Sequence, residues 1–366
     1  MSRHIVIDNR ISGTSTGRYS DKLIEHLHLL NPQYKITVIT TPERKDYIEK
    51  IAPSFRVTTS NSRSFSIGEQ FGLLAQIKKL KPDLVFFSMV QQPLLLSGKT
   101  ITMMHDLTAL RFKNTHQNSF VQAFRQQLYN LMNYVVCKKS SKILTPSQYI
   151  KDDLMKKYSV SKDKINVTRE SADKISISPQ SFKKLTNKQF LLYVGRAQPH
   201  KNLRNLVESF ALVQQKHPEL VLVLAGKIDL AYQEIINLVD QKSINSVVFL
   251  GFVDDSQLKW LYQNAECYVL PSLSEGFGLP GLEAMVHGCP LVSSNATCLP
   301  EIYGKGALYF NPTDVQDMAD KINTVLDDEK LRDQLIKAGY AQSKKYSWSK
   351  MAKETLDVYK QVLGDS

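Results

Sequence analysis

The 366-residue chain is poor in cysteine, with four (Cys137, Cys267, Cys289 and Cys298) and no C-x-x-C pair among them. That spacing disfavours a structural zinc site and a disulfide framework and fits a reducing compartment. No run of about 18 apolar residues occurs, so no segment reads as a membrane-spanning helix. The opening MSRHIVIDNR reads as a strand rather than the apolar core of a secretory signal. The expected location is the cytoplasm, with peripheral attachment to the inner face of the cell membrane. No D-x-D triplet is present, and the Asp-Asp pairs at 152–153, 254–255 and 327–328 lack that spacing. A metal-dependent enzyme holding a divalent ion between two such carboxylates is therefore disfavoured, and no metal or cofactor is expected. Internal repeats and low-complexity segments are also lacking.

What is present is the composition of a globular enzyme: 42% hydrophobic and 22% charged residues exclude disordered and collagen-like chains. The length exceeds the roughly 250–300 residues at which a single core stops growing, so two domains are expected. Charge is unevenly spread. Residues 1–180 hold 27 basic and 14 acidic side chains, a balance of +13, and residues 181–366 hold 20 and 21, a balance of −1. Such asymmetry suits an acidic partner for the first half, such as anionic lipid, a phosphate-bearing substrate or nucleic acid; the plainer alternative is a solvated face that aids solubility.

Short β-branched runs alternate with helical patterns. HIVID (4–8), YKITVIT (34–40), DLVFFS (83–88), TITMMHD (100–106), KILTPS (142–147) and KINVT (164–168) form one series. FLLYVG (190–195), LVLVLAG (220–226), SVVFLGF (246–252), ECYVLPS (266–272), PLVSSN (290–295) and ALYF (307–310) form another. Near-continuous apolar strands separated by helices indicate parallel sheets covered on both faces, here two doubly wound α/β domains. The polar stretch 175–189 with Pro179 is the expected seam, giving domains of 1–178 and 179–347, with a last helix over 348–366 packing back on the first. Ligands of such sheets bind beyond the carboxyl ends of the strands, and the expected site is a cleft where those ends face each other.

The most informative motif follows the strand ECYVLPS. In LSEGFGLPGLEAMVHGCP (273–290), Gly276 and Gly278 allow close backbone approach to a ligand, and Pro280 suits the start of a helix. A glycine loop feeding a helix N-terminus is an anion site. Glu275 and Glu283 flank it. Carboxylates beside an anion site suit hydroxyl recognition, one taking a ribose diol and the other a sugar. The plain alternative for each Glu alone is an acidic residue near a helix start, favourable in any protein. In FLLYVGRAQPHKN (190–202), Arg196 and Lys201 lie at a strand's carboxyl end, where two cations suit a diphosphate.

EGFGLPGLEAM is similar to the Glu-x7-Glu signature of the retaining glycosyltransferases of family 4, which have the GT-B fold. PLVSSNATCLPEIYGKGALYFNP (290–312) and GFVDDSQLKWLYQNAECYVLPS (251–272) resemble that family too. The resemblance implies metal-free transfer of a sugar from a nucleotide-sugar donor, with the anomeric configuration kept. It implies an acceptor-binding first domain and a donor-binding second domain. Glu275 is then expected on the donor sugar, with Phe277, Gly278 and Leu279 in the same loop, and Glu283 on the ribose. Arg196 and Lys201 would stabilise the leaving diphosphate, and the backbone at Val253, after SVVFLGF, would meet the base.

In the first half, TGRY (16–19) is similar to the family's glycine loop, which singles out Gly17. The spacing from Gly13 to Gly17 is not that of a dinucleotide fingerprint, which argues against a nicotinamide enzyme. His105, at the end of TITMMHD, matches a family His lying against the donor sugar; a lone His is otherwise more often structural. His287 is expected to pack or face solvent.

SNATCLPE resembles mannosyl- and rhamnosyl-transferring relatives, making GDP-mannose the first donor to consider and a UDP-sugar the next. The acceptor would be a glycan or lipid-linked sugar in cell-surface polysaccharide or glycolipid synthesis, with an anionic membrane face as a further partner and no nucleic acid. Two alternatives stay open: a glycoside hydrolase using Glu275 and Glu283 as its carboxylate pair, and a nucleotide-sugar-binding module without catalysis. Residues 119–142 carry a stripe of Val121, Phe124, Leu128, Leu131, Met132 and Val135 followed by Lys138, Lys139 and Lys142. The expected reading is a core helix ending in cations that suit its dipole, the other an interfacial helix with a basic collar.

Overall fold

The computed structural model describes residues 2–112 and 119–365, without the side chains of 119–122. It contains two compact units: Met1–Leu110, Asn118–Glu170 and Ser347–Ser366 form one, and Arg111–Gln117 with Ser171–Tyr346 the other.

The first unit is built on seven parallel strands: β1 (His4–Asp8), β2 (Lys35–Thr40), β3 (Arg56–Thr59), β4 (Leu84–Phe87), β5 (Thr100–Met103), β6 (Lys142–Thr145) and β7 (Ile165–Val167), in the order β3-β2-β1-β4-β5-β6-β7. β1 and β4 are buried along their whole length, as their unbroken apolar runs require of central strands covered on both faces. β3 was not among the expected strands. Its RVTT has one strongly apolar residue and lies half-exposed at the sheet edge, so it carries neither alternation nor a continuous apolar run. The C-terminal helix Trp348–Leu363 closes this unit, with Tyr359 against Phe86 at a ring separation of 5.6 Å and Asp365 accepting from the Tyr34 hydroxyl at 2.9 Å.

The second unit holds six parallel strands: β8 (Phe190–Val194), β9 (Val221–Ala225), β10 (Val247–Gly251), β11 (Cys267–Leu270), β12 (Leu291–Ser294) and β13 (Ala307–Phe310), in the order β10-β9-β8-β11-β12-β13. One large core links the sheet to the amphipathic helices Leu203–Lys216, Leu230–Gln241 and Val315–Asp327.

In both sheets the strand order reverses beside the first strand of the unit, between β1 and β4 and between β8 and β11. Loops leaving these strands diverge to opposite faces and open a crevice, the position at which doubly wound sheets bind ligands. Arg196 and Lys201 follow β8, and Glu275 through Glu283 follow β11, so the candidate residues flank the reversal of the second sheet.

The helix Ser119–Lys139 corrects the expected core reading of its stripe. Met132, Val136 and Cys137 are buried in a cluster with Ile143, Ile150 and Leu154, whereas Phe124, Leu128 and Leu131 are exposed and Val135 is half-buried. The apolar arc of the helix is broad, taking in both Phe124 and Val136, so spacing alone does not choose the part that meets the sheet. Val121 lies outside the described side chains.

Candidate active site

The chain leaves β8 through Gly195 at φ 151°, a region open to glycine, and a Cβ there would press on the Tyr193 hydroxyl. Arg196 follows; it is 58% exposed by its side chain and faces Asp229 at 3.7 Å. The turn Pro199–Lys201 then hands over to Asn202, whose buried side-chain amide donates to the carbonyls of Pro271 (3.0 Å) and Pro312 (2.7 Å). One asparagine thus ties the loops after β8, β11 and β13 together and sets where Lys201 points. Lys201 Nζ donates to Glu275 Oε1 at 2.7 Å, with both side chains largely buried.

Glu275 is held from several sides. The Ser272 hydroxyl donates to Oε1 at 2.7 Å, the Glu275 amide donates to Thr297 Oγ1 at 3.1 Å, and the Cys298 thiol donates to its carbonyl. Burial alone would push the carboxyl up. The Lys201 ammonium, its hydrogen bond, Ser272 and His200 together outweigh that and hold it below the ordinary glutamate range. Beyond it the backbone turns through Gly278 at φ 89° into the helix Leu279–Val286, one residue earlier than Pro280 suggests, so that Pro280 takes the second helical position. The Tyr303 hydroxyl donates to the Gly278 carbonyl, and a Cβ at Gly278 or Gly281 would run into Tyr303. Gly276, Gly278 and Gly281 therefore repeat, after β11, the G-x-G-x-x-G spacing that is missing after the first strand, and two of the three positions have no room for a side chain. Phe277 is buried edge-on against Tyr346 at 5.6 Å.

Glu283 lies within that helix, buried, accepting from the Tyr262 hydroxyl at 3.3 Å. His287 is buried rather than solvent-facing. Its Nε2 accepts from the Ile175 amide at 3.0 Å, which leaves the proton on Nδ1, donated to the Glu283 carbonyl at 2.8 Å. Burial, the larger effect, keeps this ring below its ordinary pKa and so neutral. It stacks on Tyr262, the side chain that donates to Glu283.

The remaining candidates lie elsewhere. Val253 is half-buried after β10, beside the exposed Phe252. Gly17 begins the helix Gly17–Leu29, and a Cβ there would meet the Ile11 carbonyl, so packing alone already requires glycine. His105 follows β5 in the first unit, with Nε2 at 3.0 Å from the Ser88 carbonyl, Nδ1 at 3.7 Å from Glu170 and Tyr19 edge-on at 5.2 Å. Sequence reasoning found Lys201 and Glu275 but not their supports. Ser272, Tyr262 and Thr297 lie inside the family-like stretches 251–272 and 290–312, but as common residue types they carry no chemistry of their own there, and Glu170 lies outside both; only Asn202, adjacent to Lys201, carried a positional hint.

A family model described as Glycosyltransferase Family 4 matches residues 16–170, and one described as Glycosyl transferases group 1 matches residues 174–342. The O-antigen chain mannosyltransferase B of Escherichia coli is 30% identical over 272 residues, covering 72% of this chain and 70% of that protein. The chain belongs to the family 4 glycosyltransferases. The glycoside hydrolase reading of Glu275 and Glu283 is thereby overturned. Sucrose-phosphate synthase from Thermosynechococcus elongatus matches with a TM-score of 0.80 at 19% identity over 100% of both chains. HepE from Anabaena, solved in complex with UDP-glucose, matches with a TM-score of 0.76 at 17% identity over 98% of this chain and 99% of that one. These neighbours share the GT-B fold of this glycosyltransferase.

Proposed function

We propose that this glycosyltransferase moves a hexosyl group from a nucleotide sugar to a glycan or lipid-linked acceptor, keeps the anomeric configuration and needs no divalent ion. The observation that carries the reading is the Lys201–Glu275 pair, 2.7 Å apart, beside the glycine turn that opens the helix Leu279–Val286. A donor diphosphate placed at that helix N-terminus meets a favourable dipole and an ammonium already aimed at the loop. Glu275, ionised through Lys201, accepts from donor-sugar hydroxyls, and Glu283 accepts from the ribose. Arg196, exposed and loosely paired, swings from Asp229 onto the diphosphate. Each charged hydrogen bond contributes about 1.5–3 kcal/mol. Rate comes from the part gained only as charge grows on the departing phosphate, while the acceptor hydroxyl attacks the face that the phosphate leaves.

In this reading Lys201, Arg196 and the helix dipole supply the neutralisation that a divalent ion supplies elsewhere. No three His, Cys, Asp or Glu side chains gather as a metal site among the described residues. GDP-mannose is the first donor to try, from the SNATCLPE resemblance and the mannosyltransferase relative; UDP-glucose, the ligand in the HepE structure, is the second. The test is nucleotide release from a panel of nucleotide sugars with a mixed glycan acceptor, with and without EDTA. Release that persists in EDTA is expected. Loss of activity in EDTA would overturn the metal-free mechanism, and tight nucleotide binding without release from any donor would favour a binding module.

A further inference from the structure

The helix Ser119–Lys139 buries one face in the first unit and leaves another apolar face uncovered by the described residues. Phe124 is 71% exposed, Leu128 41%, Leu131 55% and Tyr134 47%. Positions 124, 128, 131, 135 and 138 fall on one line of the helix, so the exposed stripe runs from Phe124 to Lys138. Phe65, also exposed, stands edge-on to Tyr129 of the same helix at 6.1 Å and widens the patch.

The charge along the helix itself has one sign. No Asp or Glu occurs in residues 107–151, a stretch that holds seven Lys and Arg. Four lysines collect at the carboxyl end of the helix and the neighbouring strand starts. Lys138 lies 5.6 Å from the Tyr134 ring centroid, Lys139 donates to the Leu96 carbonyl at 3.3 Å, Lys142 to that of Asp163 at 2.5 Å and Lys164 to that of Lys138 at 2.7 Å. The carbonyl contacts fix the positions of the Lys139, Lys142 and Lys164 ammoniums.

We propose that this helix face docks on the headgroup layer of an anionic phospholipid bilayer. Phe124, Leu128 and Leu131 enter the acyl boundary, Tyr134 sits at headgroup depth, and the four ammoniums meet lipid phosphates. An exposed apolar stripe bordered by cations, on a helix without Asp or Glu, matches both halves of such an interface. Pairing with a second copy through the same face would bring the basic clusters together and cost repulsion. The proposal names the face behind the expected membrane partner and does not depend on which sugar is transferred, because binding is read without donor or acceptor.

The test is co-sedimentation of the full chain with phosphatidylcholine vesicles, with and without phosphatidylglycerol. Binding to the mixed vesicles and not to the neutral ones is expected, and salt should weaken it. The double change Phe124→Ser, Leu131→Ser should weaken it about tenfold or more, and Lys138→Glu about tenfold. All three positions are exposed, so thermal unfolding and nucleotide affinity should stay as in the parent. No binding to mixed vesicles, equal binding to neutral ones, or unchanged binding by the double variant would overturn the proposal. So would a concentration-dependent dimer in sedimentation that Leu131→Ser abolishes, which would make the face a contact between copies.

Discussion

The two units share a sheet topology but hold their key loops in different ways. In the second, the groups that position Glu275 come from two nearby loops: Lys201 after β8 and Ser272 after β11, with Thr297 closing from the next one. In the first, the loop after β1 is fixed by a fully buried ion cluster of Asp8, Arg10 and Glu69. Arg10 donates to Asp8 at 2.8 Å and Glu69 at 3.1 Å, and all three side chains are sealed from water. Burial opposes the guanidinium's charge, but Asp8 and Glu69 outweigh it and keep Arg10 firmly protonated. The same device recurs weakly where Arg44 meets Asp21, which in turn takes Asn9. On the proposed function, the second unit places ionised groups where the donor would bind, whereas the first uses them to make a loop rigid. The comparison predicts that charge removal costs stability in the first unit and chemistry in the second.

The largest effect is expected from Arg10→Ala, which leaves two buried carboxylates without their cation and should cost about 3–5 kcal/mol. Trp348 lies in the first unit and Trp260 in the second, so denaturant unfolding followed by Trp348 fluorescence in a Trp260→Phe background reports the first unit alone. An unchanged midpoint would break the comparison. Next is Glu283→Ala, which removes a charged acceptor. By the magnitude of such bonds it should weaken GDP or UDP binding about tenfold or more in calorimetric titration, with kcat nearly preserved. A large fall in kcat at constant affinity would move Glu283 to the reacting end of the donor. Gly278→Ala should cost about 1–3 kcal/mol of second-unit stability, through the left-handed backbone and the collision with Tyr303. Trp260 fluorescence reads it, and a neutral result would show that the turn can relax.

The smallest effect concerns pH. His287 is depressed in the folded state, so between its folded pKa and its ordinary value of about 6.5 the unfolded chain binds a proton that the folded chain refuses. Its contribution is complete above that ordinary value and is lost as pH falls toward the folded pKa. Second-unit stability should accordingly decline below about pH 6.5, and His287→Gln should flatten that slope. A slope unchanged by the substitution would remove His287 as the brace of Glu283.

The same contrast explains what the sequence made legible. Glu275, Gly278 and Glu283 lie within nine consecutive residues, so their chemistry reads as one motif, and the central strands of both sheets read as apolar runs. Arg10, Glu69, His105 and Glu170 gain their roles only through folding, and no local spacing links them. β3 was missed because an edge strand needs few apolar residues. The Phe124 stripe differs from the expected core face because the helix's broad apolar arc offers more than one candidate, and only the packed sheet selects Met132 and Val136. Local signals reveal what a short segment does by itself, whereas pairings across the sheet depend on topology.

The central claim is that Lys201 neutralises a leaving diphosphate in place of a metal ion. It is tested most directly by measuring donor affinity and kcat for Lys201→Ala in EDTA, with the donor that the panel selects. The account predicts kcat lower by about 100-fold or more, as for loss of one preorganised charge-stabilising group, with donor affinity changed only a few-fold. A kcat close to that of the parent enzyme, or losses shared equally between affinity and turnover, would contradict it.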